Sequence, residues 1–108
     1  MAELLQPNAL IDAAHEATGI ADFDSNTWRE GFDVLVGDVN AHIDNYSEGG
    51  LARVKNDIVH YLKGRLKVSD YLAKHPELLD RPVKRPVFVM GVPRTGTTLM
   101  SNLLAADP

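Results

Sequence analysis

Arg94, Thr95, Thr97 and Thr98 crowd into the short stretch between Gly91 and Leu99. A guanidinium keeps its charge, because its pKa lies above about 12. Its forked donor face suits two oxygens at once. Each threonine hydroxyl can donate one further hydrogen bond. Gly91 and Gly96 let the backbone turn and come close to a ligand with no side chain in the way. This is chemistry for holding an oxyanion and stabilising charge on it. It is not acid–base chemistry, since the arginine serves as cation and donor.

Such a group needs elements that aim it. The apolar run Val87-Phe88-Val89-Met90, bounded by Pro86 and Gly91, predicts a strand buried on both faces. Thr97 and Thr98 open a helix on which Leu99, Met100, Leu103 and Leu104 recur at helical spacing. Strand, glycine loop and helix make a phosphate cradle. The unpaired amides from Thr95 to Thr98 point at the anion, and the helix dipole adds favourable charge. The loop nearly matches the nucleoside-triphosphate pattern G-x-x-x-x-G-K-[ST]: Gly91, Gly96 and Thr98 are in place, but Thr97 stands where the lysine belongs. That lysine reaches the terminal phosphates in phosphoryl transfer. Here the loop's cation is Arg94, on the other side of Gly96, so the loop is built for a different anion.

Pro93-Arg94-Thr95-Gly96-Thr97-Thr98, with the apolar run before it and Leu99, Leu103, Leu104 and Asp107-Pro108 after it, resembles the 5′-phosphosulfate loop of sulfotransferases that use 3′-phosphoadenosine 5′-phosphosulfate (PAPS). The version with arginine resembles a branch common in bacteria; the cytosolic enzymes usually carry lysine at the position of Arg94. The resemblance covers Pro86 to Pro108. It implies transfer of a sulfuryl group from PAPS to a hydroxyl or amine acceptor, with no metal required. It implies that Pro93, Arg94, Thr95, Gly96, Thr97 and Thr98 bind the donor and that Arg94 is catalytic, stabilising charge on the departing phosphate. A lysine could also pass a proton; the arginine removes that option. The family's 3′-phosphate site and its usual base, a histidine or carboxylate, map to no residue here. The acceptor is expected to be a small molecule or lipid with a hydroxyl group.

The remainder of the chain reads as a helical lead-in. Asn8 to Thr18 predicts a helix ended by Gly19, with Leu10, Ala13, Ala14 and Ala17 on one face. Thr27 and Glu30 make a capping-box signature before a helix with Trp28, Phe32, Leu35, Val36, Val39 and Ile43 on one stripe. Trp28 and Phe32 read as core, with an acceptor pocket as the other reading. Asn45 to Gly50 breaks the pattern. A helix from about Leu51 to Leu66 follows, with Leu51, Val54, Ile58, Tyr61, Leu62 and Leu66 inward and Arg53, Lys55, Lys63, Arg65 and Lys67 solvated. A short helix from Ser69 to His75 is predicted next, stopped by Pro76. Arg81, Lys84 and Arg85 lead into the strand at its far end from the loop and read as solvated. His15, His42, His60 and His75 are scattered, with no metal-ligand spacing.

The chain has 108 residues, no cysteine and a net charge of −4. There is no disulfide framework or thiolate metal site, and no basic surplus of the kind nucleic-acid binders show. The start, Met1 to Pro7, has neither the basic flank nor the apolar core of a signal peptide or anchor. No stretch is long and apolar enough to span a bilayer. The expectation is a soluble, cytoplasmic protein that binds no nucleic acid. The expected fold class is α/β: a P-loop-like parallel sheet domain, beginning at residues 81–108, behind a helical region at residues 1–80. A parallel strand needs neighbours, and the chain stops just after the loop helix. It therefore reads as an N-terminal fragment, inactive alone, with an open strand edge and an exposed apolar helix face. Two other classes fit less well: a P-loop kinase-like nucleotide binder, against which the missing lysine counts, and a non-catalytic helical interaction module.

Overall fold

Pro7 lacks an amide hydrogen and has a preset φ, so it suits the first turn of a helix. In the computed structural model, which describes residues 3–107, helix α1 spans Pro7–Thr18. Met1, Ala2 and Pro108, on which the reading of the N-terminus and of the Asp107-Pro108 ending partly rests, lie outside the described residues. Gly19 ends α1 as expected: it sits at φ 68° and its N–H donates to the His15 carbonyl at 2.8 Å. That left-handed conformation is one only glycine adopts freely.

Helix α2 spans Arg29–Ala41, followed by a 3₁₀ turn at Ile43–Asn45. The predicted capping box does not form. Thr27 Oγ1 pairs instead with Ser25 Oγ at 2.9 Å, and Trp28 occupies the cap position without a side-chain cap. Phe32, Val36, Val39 and Ile43 are buried, whereas Leu35 faces solvent.

Helix α3 spans Glu48–Lys74 and replaces the two helices expected over this stretch. Its 27 residues make a rod about 40 Å long. Ser47 caps it by accepting from the Gly50 N–H at 3.1 Å, so Gly49 and Gly50 lie inside the first turn. No glycine or proline stands between Leu66 and Ser69 to break the backbone ladder, and the Ser69 hydroxyl, donating to the Arg65 carbonyl at 3.0 Å, caps no new helix. The ladder therefore runs on to His75, where Pro76 starts a second 3₁₀ turn. Ile58, Leu62, Leu66 and Ser69 are buried, but Tyr61 is 73% exposed and faces outward.

The core joins Leu5, Leu10, Ala14, Phe32, Val36, Val39, Ile58, Leu62 and Leu66. Phe23, Trp28 and Phe32 stack in series at its edge, with ring centroids 4.3 and 5.5 Å apart, which supports the core reading of Trp28 and Phe32. Two polar clips close the bundle. Asn40 Oδ1 accepts from the Leu5 N–H at 2.8 Å while its Nδ2 donates to the Leu5 carbonyl at 2.9 Å, pinning the N-terminal segment to α2. Arg65 donates to Asp24 at 2.8 Å, pinning the α1–α2 connection to α3.

The expected α/β fold class is corrected by the structure: among the described residues there is no strand and no sheet. Val87 to Met90 is irregular, with Phe88 79% exposed. A strand is held by ladder bonds to a neighbour, and nothing among the described residues offers that edge. The local half of the expectation survives. Helix α4 spans Thr97–Ala105, directly after the loop. Its Leu99, Met100, Leu103 and Leu104 are all exposed, as expected for an apolar face without a sheet beneath it. The radius of gyration, 17.9 Å, exceeds the roughly 13 Å of a compact chain this long.

Candidate functional site

The loop from Gly91 to Gly96 is formed by steric limits. Pro93 fixes its own φ, and Arg94 follows at φ 69°. A positive φ costs a residue with a β-carbon about 1–3 kcal/mol and gathers at ligand-holding sites. Proline followed by a positive-φ residue is the arrangement of a type II turn, in which glycine or asparagine is the usual second residue. Arg94 holds that place. Gly96 turns the chain again at φ 88° and is the cap residue of α4.

Gly91 is fixed by space rather than by φ. A methyl group there would stand 2.7 Å from Thr95 Oγ1 and 2.9 Å from Thr97 Cγ2, closer than non-bonded atoms sit. Thr95 and Thr97 thus fold back over the glycine, and any β-carbon at that position would fill the loop. Thr95 Oγ1 donates to the Val92 carbonyl at 2.6 Å.

Arg94, Thr95, Gly96 and Thr98 are exposed and Thr97 is half-buried, so the donors face open space. Among the described residues Arg94 makes no ion pair, and neither do Lys55, Lys63, Lys67, Arg81, Lys84 and Arg85, whereas Arg29, Arg53, Arg65 and Lys74 are each paired with an aspartate. The loop therefore presents a free guanidinium, two threonine hydroxyls and the amides at the start of α4 within one turn of chain. That donor set fits a phosphate or sulfate oxyanion.

One signal lay in the sequence unread. From Arg81 to Ala106 the chain carries Arg81, Lys84, Arg85 and Arg94 and no carboxylate, while residues 1–48 carry ten carboxylates against one arginine. The net charge of −4 hides this division; a running charge count would have found it.

The other candidates are structural. A ring nitrogen of His15 lies 2.6 Å from the Ile20 carbonyl, and the ring meets Phe23 edge-on. His42 contacts the Asp38 carbonyl and His75 the Glu77 carboxylate. Among the described residues no group of three histidine, cysteine or acidic side chains is placed to hold a metal ion, and no helix is long and apolar enough to cross a membrane. Two open clefts lie on the helical part. One, of about 710 Å³, is lined by Leu5, Leu10, Tyr46 and Lys55 among others. The second, of about 930 Å³, is lined by Phe23, Asp24, Ser69 and Leu79 among others. Neither is lined by the loop, Trp28 or Phe32.

Residues 86–108 match the sequence model of the Sulfotransferase family. No curated protein and no solved structure matches the chain. The match begins at Pro86 and takes in the Gly91–Gly96 loop and α4, so it falls on the segment that carries Arg94 and the threonines and not on the helical bundle. Over residues 86–108, and over those alone, this chain is therefore similar to the Sulfotransferase family.

Proposed function

We propose that this chain carries the donor-binding segment of a sulfotransferase that moves a sulfuryl group from PAPS to a hydroxyl or amine of a small-molecule or lipid acceptor. The observation that supports the reading most is the Gly91–Gly96 loop, with Arg94 unpaired beside the opening of α4. In this reading Pro93, Arg94, Thr95, Gly96, Thr97 and Thr98 hold the 5′-phosphosulfate, and PAPS when bound supplies the activated sulfuryl group. Arg94 contributes fixed positive charge where negative charge grows on the departing phosphate, and it does so without giving up a proton. The Thr97 and Thr98 hydroxyls and the first amides of α4 fix the orientation of the anion. Residues 1–80 and 81–108 act as separate parts, the second carrying the donor contacts.

The test is calorimetric titration of the chain with adenosine 3′,5′-bisphosphate and, separately, with ATP. Bisphosphate should bind in the absence of magnesium and more tightly than ATP. Arg94→Ala should weaken it at least tenfold, on the order of one charge-assisted hydrogen bond. Binding of ATP alone, and only with magnesium, would reject the sulfotransferase reading in favour of a nucleotide-dependent kinase.

A further inference from the structure

We propose that the peptide bond between Lys84 and Arg85 is a proteolytic control site, where a protease that cuts after lysine or arginine detaches the Gly91–Gly96 loop and α4 from the helical bundle. The inference goes beyond the donor-binding reading and does not depend on it. Such a protease takes the basic side chain into an acidic pocket and needs the backbone around it exposed and free of other bonds. Every residue from Arg81 to Phe88 is exposed. Among the described residues, no backbone group from Pro82 to Gly91 makes a hydrogen bond to another backbone group.

The other basic residues do not qualify. The chain has eleven lysines and arginines. Arg29 lies in α2 and six more, from Arg53 to Lys74, lie in α3. There the backbone is tied into a helical ladder and must open before it is cut. Arg81 and Arg85 are followed by Pro82 and Pro86. In both bonds the leaving nitrogen sits in a ring and carries no hydrogen, which a cleavage site does not accept. Arg94 stands inside a turn at φ 69°, and the Thr95 hydroxyl bonds back to the Val92 carbonyl at 2.6 Å, so that bond is held bent. Lys84 alone is exposed, outside any helix or turn, and followed by a residue with an amide hydrogen. That residue, Arg85, sits at φ 52°, a disfavoured state for a residue with a β-carbon. Straightening the segment in a protease cleft therefore relieves strain and breaks no backbone bond. On hydrolysis water adds across the peptide bond: Lys84 gains a carboxylate and Arg85 a free amine. Among the described residues no backbone hydrogen bond and no ion pair ties residues 85–107 to the bundle. Leu99, Met100, Leu103 and Leu104 of α4 are exposed, so little holds the two parts together once the bond is cut.

The test is limited digestion of the whole chain with trypsin, followed by intact-mass spectrometry and native gel filtration. The first products should be residues 1–84 and 85–108, and they should elute separately. Lys84→Gln should slow the first cut about tenfold or more, because every remaining bond lies in a helix, before a proline or in the Arg94 turn. Pro86→Ala should open a further cut, after Arg85, that the parent lacks. Neither variant should change the far-ultraviolet circular dichroism, because the segment lies outside the core. A first cut after Arg94 or within α2 or α3 overturns the proposal, as does a Lys84→Gln chain cut as fast as the parent. Products that elute together overturn the detachment. None of these readouts uses a nucleotide, so a failure to bind adenosine 3′,5′-bisphosphate would reject the donor reading alone.

Discussion

Truncating Leu66 and, separately, Leu99 to alanine tests whether the chain is a helical bundle with the loop segment outside its core. Leu66 is 0% exposed and sits among Leu10, Leu62 and Val36 in the central cluster. Removing three carbons there loses their transfer free energy and leaves a cavity, a cost of about 2–5 kcal/mol. Leu99 is 65% exposed. Only about a third of a side-chain burial worth roughly 2 kcal/mol is at stake, so its loss is about 0.7 kcal/mol, and the higher helix propensity of alanine returns part of that. A bundle this small has a total stability of only about 5–10 kcal/mol, so Leu66→Ala removes a large fraction of it. Urea unfolding followed by far-ultraviolet circular dichroism reads the difference. With a slope of about 1 kcal/mol per molar, Leu66→Ala should lower the midpoint by about 2 M or more, and Leu99→Ala by well under 1 M. Equal losses in the two variants would mean that α4 packs into the core, and the separation of bundle and loop would be wrong.

Asn40→Ala should cost about 1–3 kcal/mol in the same assay, because it strips both the donor and the acceptor from the Leu5 backbone; a change below about 0.5 kcal/mol would show that the clip holds nothing. A pH series tests the Arg65–Asp24 clip. Desolvation pushes the Asp24 carboxyl up, but the hydrogen bond and charge of Arg65, with help from Ser69 and the Ser25 backbone, outweigh it and hold the pKa below its ordinary value. A depressed carboxyl pKa gives stability that is fully present above the unfolded value, about 3.9, and is lost as pH falls through the folded one. The stability gap between the parent and Asp24→Asn should therefore be open at pH 6 and close as the pH is taken below 4, and a gap that stays constant would remove Asp24 from the acid response.

The sequence revealed the loop better than the fold around it. Glycine spacing, Pro93 and the clustered donors are local facts, and a local turn follows from local sterics. The same holds for Gly19, whose missing β-carbon ends α1 where expected. The misreadings arose where the outcome depended on distant partners. Val87 to Met90 has strand composition, but a strand requires a second edge, and periodicity cannot supply one. The expected gap between Leu66 and Ser69 had no glycine or proline in it to break the backbone ladder, so the helix ran through. The Thr27–Glu30 capping signature lost to a competing contact between Ser25 and Thr27. Tyr61 sits on the expected inward stripe by count, yet the long helix α3 turns it to solvent. The hydroxyl of Thr95 was legible as a donor, but its partner, the Val92 carbonyl, came only from the geometry.

The separation of charge along the chain has a kinetic consequence. An anion approaching residues 1–48, with ten carboxylates against one arginine, is repelled, while one approaching the carboxylate-free stretch that holds Arg81, Lys84, Arg85 and Arg94 is drawn in. The molecule thereby rejects wrong approaches before any contact is made. The reach of this selection is set by the solution, because the field decays over about 30 Å at 0.01 M salt and about 10 Å at 0.1 M. The principal extents of the molecule are 56, 37 and 22 Å. In dilute salt the whole molecule orients the encounter; at physiological ionic strength only about the last 8 Å of the approach is guided. Capture of a multiply charged anion at the proposed site should slow steeply between those conditions, whereas its escape should change far less.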